Sequence, residues 1–192
     1  MRAYPKGETT MARVPDMTVN DLAEADRDLL KRNIALHRAL TNSPNGARAF
    51  SGLGQFIRYG SKLDPRLREL AILQVGWLAR SPYEWSHHVK IGFDFGVTED
   101  DVRGVIAETA GEPSALEPVA QLVLLAAREA YHGPGVGEAT FERLRAQFDN
   151  ERLVDLVLVI SFYCAVVRVL SSLDIQVEPD YQPYLDRFPL PA

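Results

Sequence analysis

Glu69, Ser81, Glu84 and His88 are the residues of this chain whose types and spacing suit chemistry. Glu84 and His88 stand at i and i+4 in the string PYEWSHHVKIG, so on a helix a carboxylate and an imidazole lie side by side. Burial would push the carboxyl pKa up and the imidazole pKa down, while their mutual attraction opposes both shifts. Such a pair can accept and return a proton near neutral pH. The same two residues would also serve a plain hydrogen bond that ties two helices together. Glu69 sits on the preceding apolar stretch. There it either completes a three-member relay or stays wet near a helix start, where the macrodipole favours an acid. Ser81 is a nucleophile in type only: no GxSxG elbow surrounds it, and a helix N-cap accounts for a serine before proline.

Two helices joined by a Ser-Pro elbow must hold these residues. Asp64-Pro65 reads as a cap followed by a proline at the first helical position. The stretch LRELAILQVGWLA behind it is apolar nearly all round, which predicts a central buried helix. Ser81-Pro82 repeats the signature and opens a helix that Gly96 terminates. At roughly 100° per residue, Glu84 and His88 fall among Trp85, Val89, Ile91 and Phe95. His87 falls with Lys90 and Asp94, toward solvent. The two adjacent histidines therefore point apart, and a three-ligand metal site with Glu84 is not expected.

Further helices are predicted over about 18–41, 45–60, 99–109, 117–131, 137–148 and 150–172, and no strand-like alternation competes with them. The fold class is all-α, in a single domain over 1–192. Residues 1–16 read as an N-terminal arm, and 173–192, with four prolines, as an extended tail laid on a neighbour. RLRELAILQVGW at 66–77 echoes RLVDLVLVISFY at 152–163 and sets Asp155 opposite Glu69. No counterpart of Glu84 and His88 follows Asp155, so any site belongs to the first copy.

A chain of 192 residues suits one well-filled core. The net charge of −5, without a basic stripe, argues against nucleic acid and anionic membranes as partners. Cys164 is the single cysteine, which excludes an internal disulfide, a CxxC pair and a thiolate zinc site. The N-terminal stretch has no apolar core of a signal peptide, and the run LVDLVLVISFYCAVV is short for a membrane span and broken by Asp155. A cytoplasmic location is the resulting expectation.

Counting from Glu69, twelve positions lead to Ser81, three more to Glu84 and four more to His88. This spacing is similar to the E…CxxC…H signature of alkylhydroperoxidase D-like proteins, in the carboxymuconolactone decarboxylase superfamily. PYEWSHHVKIG resembles the YEWxxH form of its cysteine-free members, and the likeness runs over about residues 63–107. It implies an alkylhydroperoxidase D-like helical bundle with a central helix–elbow–helix hairpin, in which Glu69 and His88 match the family's proton relay. Ser81 and Glu84 stand where the peroxidase branch carries its redox cysteines. Neither can attack a peroxide or resolve a sulfenic acid, so thiol peroxidase activity is not expected.

The decarboxylase branch of the resemblance implies loss of carbon dioxide from a small lactone acid, with no cofactor and no metal. His88 would then donate the proton, Glu84 tune it and Glu69 stand behind it. Arg66 or Arg68 would orient the substrate carboxylate, and Ser81, Tyr83 and Trp85 complete the substrate-binding candidates. Members of the superfamily assemble as homo-oligomers, often trimers or hexamers. An antioxidant of the alkylhydroperoxidase type and a non-catalytic oligomeric ligand-binding protein are the alternatives.

Overall fold

The computed structural model describes residues 12–191. In chain order the elements begin with a 3₁₀ turn at Glu24–Leu30, α1 (Ala35–Leu40), and α2 (Pro44–Gln55) running into a π-helical turn at Phe56–Gly60. The hairpin follows as α3 (Pro65–Leu78) and α4 (Pro82–Asp94). Then come α5 (Glu99–Ala110), α6 (Pro118–His132), α7 (Glu138–Arg145) and α8 (Asn150–Leu173), and finally a 3₁₀ turn at Pro179–Tyr181 and α9 (Gln182–Arg187). Among the described residues there is no β-strand.

α3 is the axis of the core. The Asp64 carboxylate accepts the Leu67 N–H at 3.0 Å, Pro65 occupies the first turn, and every residue from Leu67 to Gly76 is buried. Its neighbours are α4, α5, α6 and α8. Leu70, Ile72, Leu73 and Val75 are fully enclosed, each contributing roughly 1.5–3 kcal/mol. At the elbow the Ser81 hydroxyl accepts the Glu84 N–H at 3.4 Å, and Trp77 and Trp85 pack with ring centroids 5.0 Å apart. Gly96, at φ +90°, takes the left-handed turn that ends α4, and Thr98 with Asp101 forms the capping box that opens α5.

Two stretches depart from the sequence reading, each for a non-local reason. The helix expected over 18–41 is a 3₁₀ turn, an extended step and the short α1. Ile34, at the N-cap of α1, has no polar side chain to offer. The Glu178 carboxylate supplies the cap from far along the chain, accepting the Ala35 N–H at 2.6 Å, and the Tyr83 hydroxyl oxygen accepts the Leu36 N–H at 3.2 Å. The tail is not extended over a neighbour. It folds back on α4, where the Trp85 indole N–H donates to the Phe188 carbonyl at 2.7 Å.

α8 forms where a helix was expected over about 150–172, but its apolar run, read as short for a membrane span, lies in a helix of 24 residues that is long and apolar enough to cross one by length and composition. Half of its most apolar window is buried in the bundle. Asp155 is no second relay member: it accepts from the Ser61 hydroxyl at 2.7 Å and the Lys62 N–H at 2.8 Å, fastening the end of the π-helical turn to α8. The predicted N-terminal arm lies mostly outside the described residues. Within them, the Arg13 N–H donates to the Leu173 carbonyl at 2.8 Å, so the chain enters along the end of α8.

Candidate active site

The hairpin brings three of the predicted residues into one line. His88 Nδ1 lies 2.7 Å from Glu69 Oε2, and its Nε2 lies 3.0 Å from Glu84 Oε1. The Nδ1 contact is a directed hydrogen bond. The Nε2 contact is close enough to pair but off the line of a hydrogen bond, and Oε1 of Glu84 has no donor among the described residues. The wet alternative for Glu69 fails, because it is 1% exposed. Arg68, equally enclosed, donates from Nε and Nη2 to Glu69 Oε1 at 3.1 and 3.0 Å. Its Nη1 holds the Arg58 carbonyl at 3.0 Å, and its guanidinium lies over the Phe95 ring.

Each shift in proton affinity follows from these contacts. Burial pushes the Glu69 carboxyl up, but His88 and Arg68 outweigh it and hold it below its ordinary value. Burial pushes the His88 imidazole down, but Glu84 and Glu69 on its two sides hold it above its ordinary value. The two carboxylates favour the protonated ring, gripped at one nitrogen and loosely paired at the other. Such a group can give a proton from Nε2 without losing its orientation. The Tyr163 ring stands edge-on to His88 at 5.0 Å and closes that side with carbon.

His87 is the clear correction to the face assignment. It is not solvent-facing but buried, stacked between Tyr83 and Tyr181 at centroid distances of 3.9 and 3.4 Å. Its Nε2 lies 2.8 Å from Glu178 Oε2. Burial dominates here and holds the imidazole below its ordinary value despite Glu178, so at neutral pH His87 donates to Glu178 as an uncharged ring. Burial also opposes the Glu178 charge, but the hydrogen bonds from His87 and Ala35 prevail and hold that carboxyl down to about 2. Periodicity within α4 could not show this, because the covering residues come from the tail.

Glu178→Ala removes the acceptor shared by Ala35, Tyr83 and His87. It is expected to cost about 1–3 kcal/mol and to free the tail locally. Amide exchange over residues 180–188 should rise at least tenfold while α3 stays protected. Unchanged protection of the tail would contradict its role as a latch.

A cavity of about 80 Å³ lies against the relay. Glu84, His88, His87 and Tyr83 line one part of it, and Phe50, Phe162, Tyr163 and Ile91 supply apolar surface. Of the predicted substrate-binding residues only Tyr83 is in this lining. Arg66 points elsewhere and is engaged by Asp101 and Glu117, which bridges it to α5. Arg68 is consumed by Glu69 and a carbonyl. Trp85 is fully buried and holds the tail. Ser81 caps α4 and borders a separate cavity of about 260 Å³ behind the elbow. Sequence reasoning missed Arg32, His37 and Arg58, all in the lining, because they arrive from segments without a motif. Among the described residues, no group of three His, Cys, Asp or Glu side chains is arranged to hold a metal ion.

The comparisons with known proteins agree with the all-helical fold. No curated protein matches the chain. Among solved structures, the fold is similar to an uncharacterized peroxidase-related protein from Ralstonia eutropha JMP134, described as an alkylhydroperoxidase AhpD core. That match has a TM-score of 0.77 at 18% identity and covers 93% of this chain and 97% of that one. A peroxidase-related protein from Silicibacter sp. TM1040 matches at 0.76 and 16%, with the same coverage. The debrominase Bmp8, in complex with 2,3,4-tribromopyrrole, matches at 0.69 and 18%, covering 87% of this chain and 95% of that one. Residues 44–129, which hold the hairpin and the whole relay, match the model of the carboxymuconolactone decarboxylase family. The family match thus covers the segment that carries the relay, and the solved structures share the all-helical fold around it.

Proposed function

We propose that the protein is a cofactor-independent lyase or isomerase that works by Glu/His acid–base chemistry on a small carboxylated lactone or related cyclic acid. The observation that carries this reading is His88, fixed between Glu69 and Glu84 beside a small, partly aromatic cavity. In a γ-lactone acid with a conjugated acceptor, the carbon–carboxylate bond breaks and its electron pair passes into the acceptor. His88 returns a proton to carbon, and Glu84 takes up the charge change at Nε2. Glu69 and Arg68 keep the ring in place, and apolar walls keep water from competing.

Purified protein incubated with a panel of γ-lactone acids should release carbon dioxide or give a shifted double bond by mass and NMR. A panel without turnover would sink the reading. We place the enzyme in the cytoplasm and as a homo-oligomer. Its self-association is supported by the exposed apolar stripe Val154, Val157 and Leu158 on α8, with Phe56 and Tyr59 also exposed on the π-helical turn.

The names of the structural neighbours favour a second reading, an antioxidant of the alkylhydroperoxidase type. Its difficulty is the nucleophile. Ser81 and Glu84 occupy the positions of the missing thiols, and burial pushes the Cys164 thiol up, against the pull of Arg168. Peroxide consumption with a thiol reductant should stay at background in wild type and in Cys164→Ser alike. Consumption that Cys164→Ser abolishes would establish the antioxidant reading instead.

A further inference from the structure

We propose that Arg32 and Arg58 form an anion subsite in the lining of the relay's cavity, holding the carboxylate of a small, flat, unsaturated acid. The inference rests on reading that cavity as the active site, and it assigns the carboxylate contact to residues other than the arginines of the hairpin.

The first argument is charge left over. Arg38, Arg48, Arg66, Arg68, Arg103 and Arg152 all pair with carboxylates. Among the described residues, no hydrogen bond or ion pair engages the guanidinium of Arg32 or Arg58. Both are half-buried and both line the same cavity, in a chain whose net charge is −5. Glu84 is the one carboxylate in that lining, and it belongs to His88. Two half-buried cations facing a cavity with no partner of their own are poised for an anion, because partial desolvation raises the value of each charge-assisted hydrogen bond.

The second argument is a probe already inside the protein. His37 lines the cavity, and its Nδ1 is buried without a hydrogen-bond partner. Burial, then the charges of Arg32 and Arg58, hold its imidazole down to about 4. Both guanidinium fields therefore converge where a polar atom waits for a ligand.

The third argument is placement. Arg58 sits on the π-helical turn, a local insertion that re-aims side chains. That turn is held at the Arg58 carbonyl by Arg68 and at its end by Asp155. The same buried arginine thus positions the relay through Glu69 and the proposed subsite through the turn. A guanidinium accepts a carboxylate in a two-pronged contact, and the neighbouring aromatic rings Phe50 and Phe162 favour a flat, unsaturated body behind it.

The test uses 2-furoate and its uncharged analogue furan-2-carboxamide, titrated calorimetrically into the intact protein at low salt. Wild type should bind furoate at least tenfold more tightly than the carboxamide, and Arg58→Gln or Arg32→Gln should each erase that preference. Arg32→Gln, on a separate segment, reads the same subsite should Arg58→Gln not fold. In wild type, bound furoate should also move the His37 titration, followed by NMR, back toward its ordinary value. No furoate binding at millimolar concentration, equal binding of acid and amide, or binding unchanged in both glutamine variants would overturn the proposal. Furoate binding as expected, without turnover of any lactone acid, would remove the lyase reading and leave the subsite. Turnover that ignores both glutamine variants would do the reverse.

Discussion

Glu69→Ala should lower folding stability by about 3–5 kcal/mol, the largest loss expected of any single change in the hairpin. The reason is what it abandons. Arg68 is 2% exposed and gives two of its three hydrogen bonds to this carboxylate, and His88 loses the acceptor of its Nδ1 proton. With about 2–4 °C per kcal/mol for a chain of this size, the melting temperature should fall by about 6–20 °C. Replacing both partners together, as Arg68→Met with Glu69→Leu, should recover much of the loss, because the cost lies in the stranded cation and not in the missing pair. A Glu69→Ala protein within 1 kcal/mol of wild type by urea titration would refute the account.

The effect also has a pH window. His88, with its folded pKa raised, adds stability that is complete below its unfolded value near 6.5 and lost as pH climbs through the folded value. Glu69, with its folded pKa lowered, adds stability that is complete above about 4.3 and lost as pH falls through the folded value. The gap between wild type and Glu69→Ala should thus be widest between about pH 4.5 and 6.5 and narrow on either side.

His88→Ala and Glu84→Gln should each reduce kcat by about 10²–10⁴-fold on any substrate that the panel identifies, with KM far less affected. His88 is the proton donor in the proposed reaction, and Glu84 is the group that answers its change of charge. The helix should survive both changes, since the cap at Ser81 and the packing of Trp85 are untouched. In wild type the rate should fall on the alkaline side as His88 gives up its proton, above the ordinary imidazole range. Full activity in either folded variant would end the proposed roles.

The hairpin was legible in the sequence because every signal that builds it is local. Asp64-Pro65 and Ser81-Pro82 cap their own helices, Gly96 ends one, and the continuous apolar run of α3 marks the centre. The i to i+4 spacing of Glu84 and His88, with Glu69 on the preceding helix, became a real line of contacts. What escaped was decided across long stretches of chain. The helix expected over 18–41 begins only at Ala35 because its cap is Glu178. His87 looked wet because its cover, Tyr181, is far along the sequence. Arg66 and Arg68 were sensible carboxylate binders by proximity, but Asp101 with Glu117 claimed the first and Glu69 the second. Arg32 and Arg58 had nothing around them to distinguish them from surface residues.

The cap that Glu178 lends to α1 spans 143 residues and sets an order of events during synthesis. On the ribosome, at roughly 5–20 residues per second, Ala35 emerges on the order of ten seconds before the carboxylate that will start its helix. Arg32, just ahead of that helix, must wait with it. The relay on α3 and α4 can assemble from the nascent chain as soon as the hairpin is out, whereas the cavity wall opposite it awaits the tail. The relay is thus made early and its enclosure last, so a ribosome stalled before residue 178 would display the relay without its complete cavity.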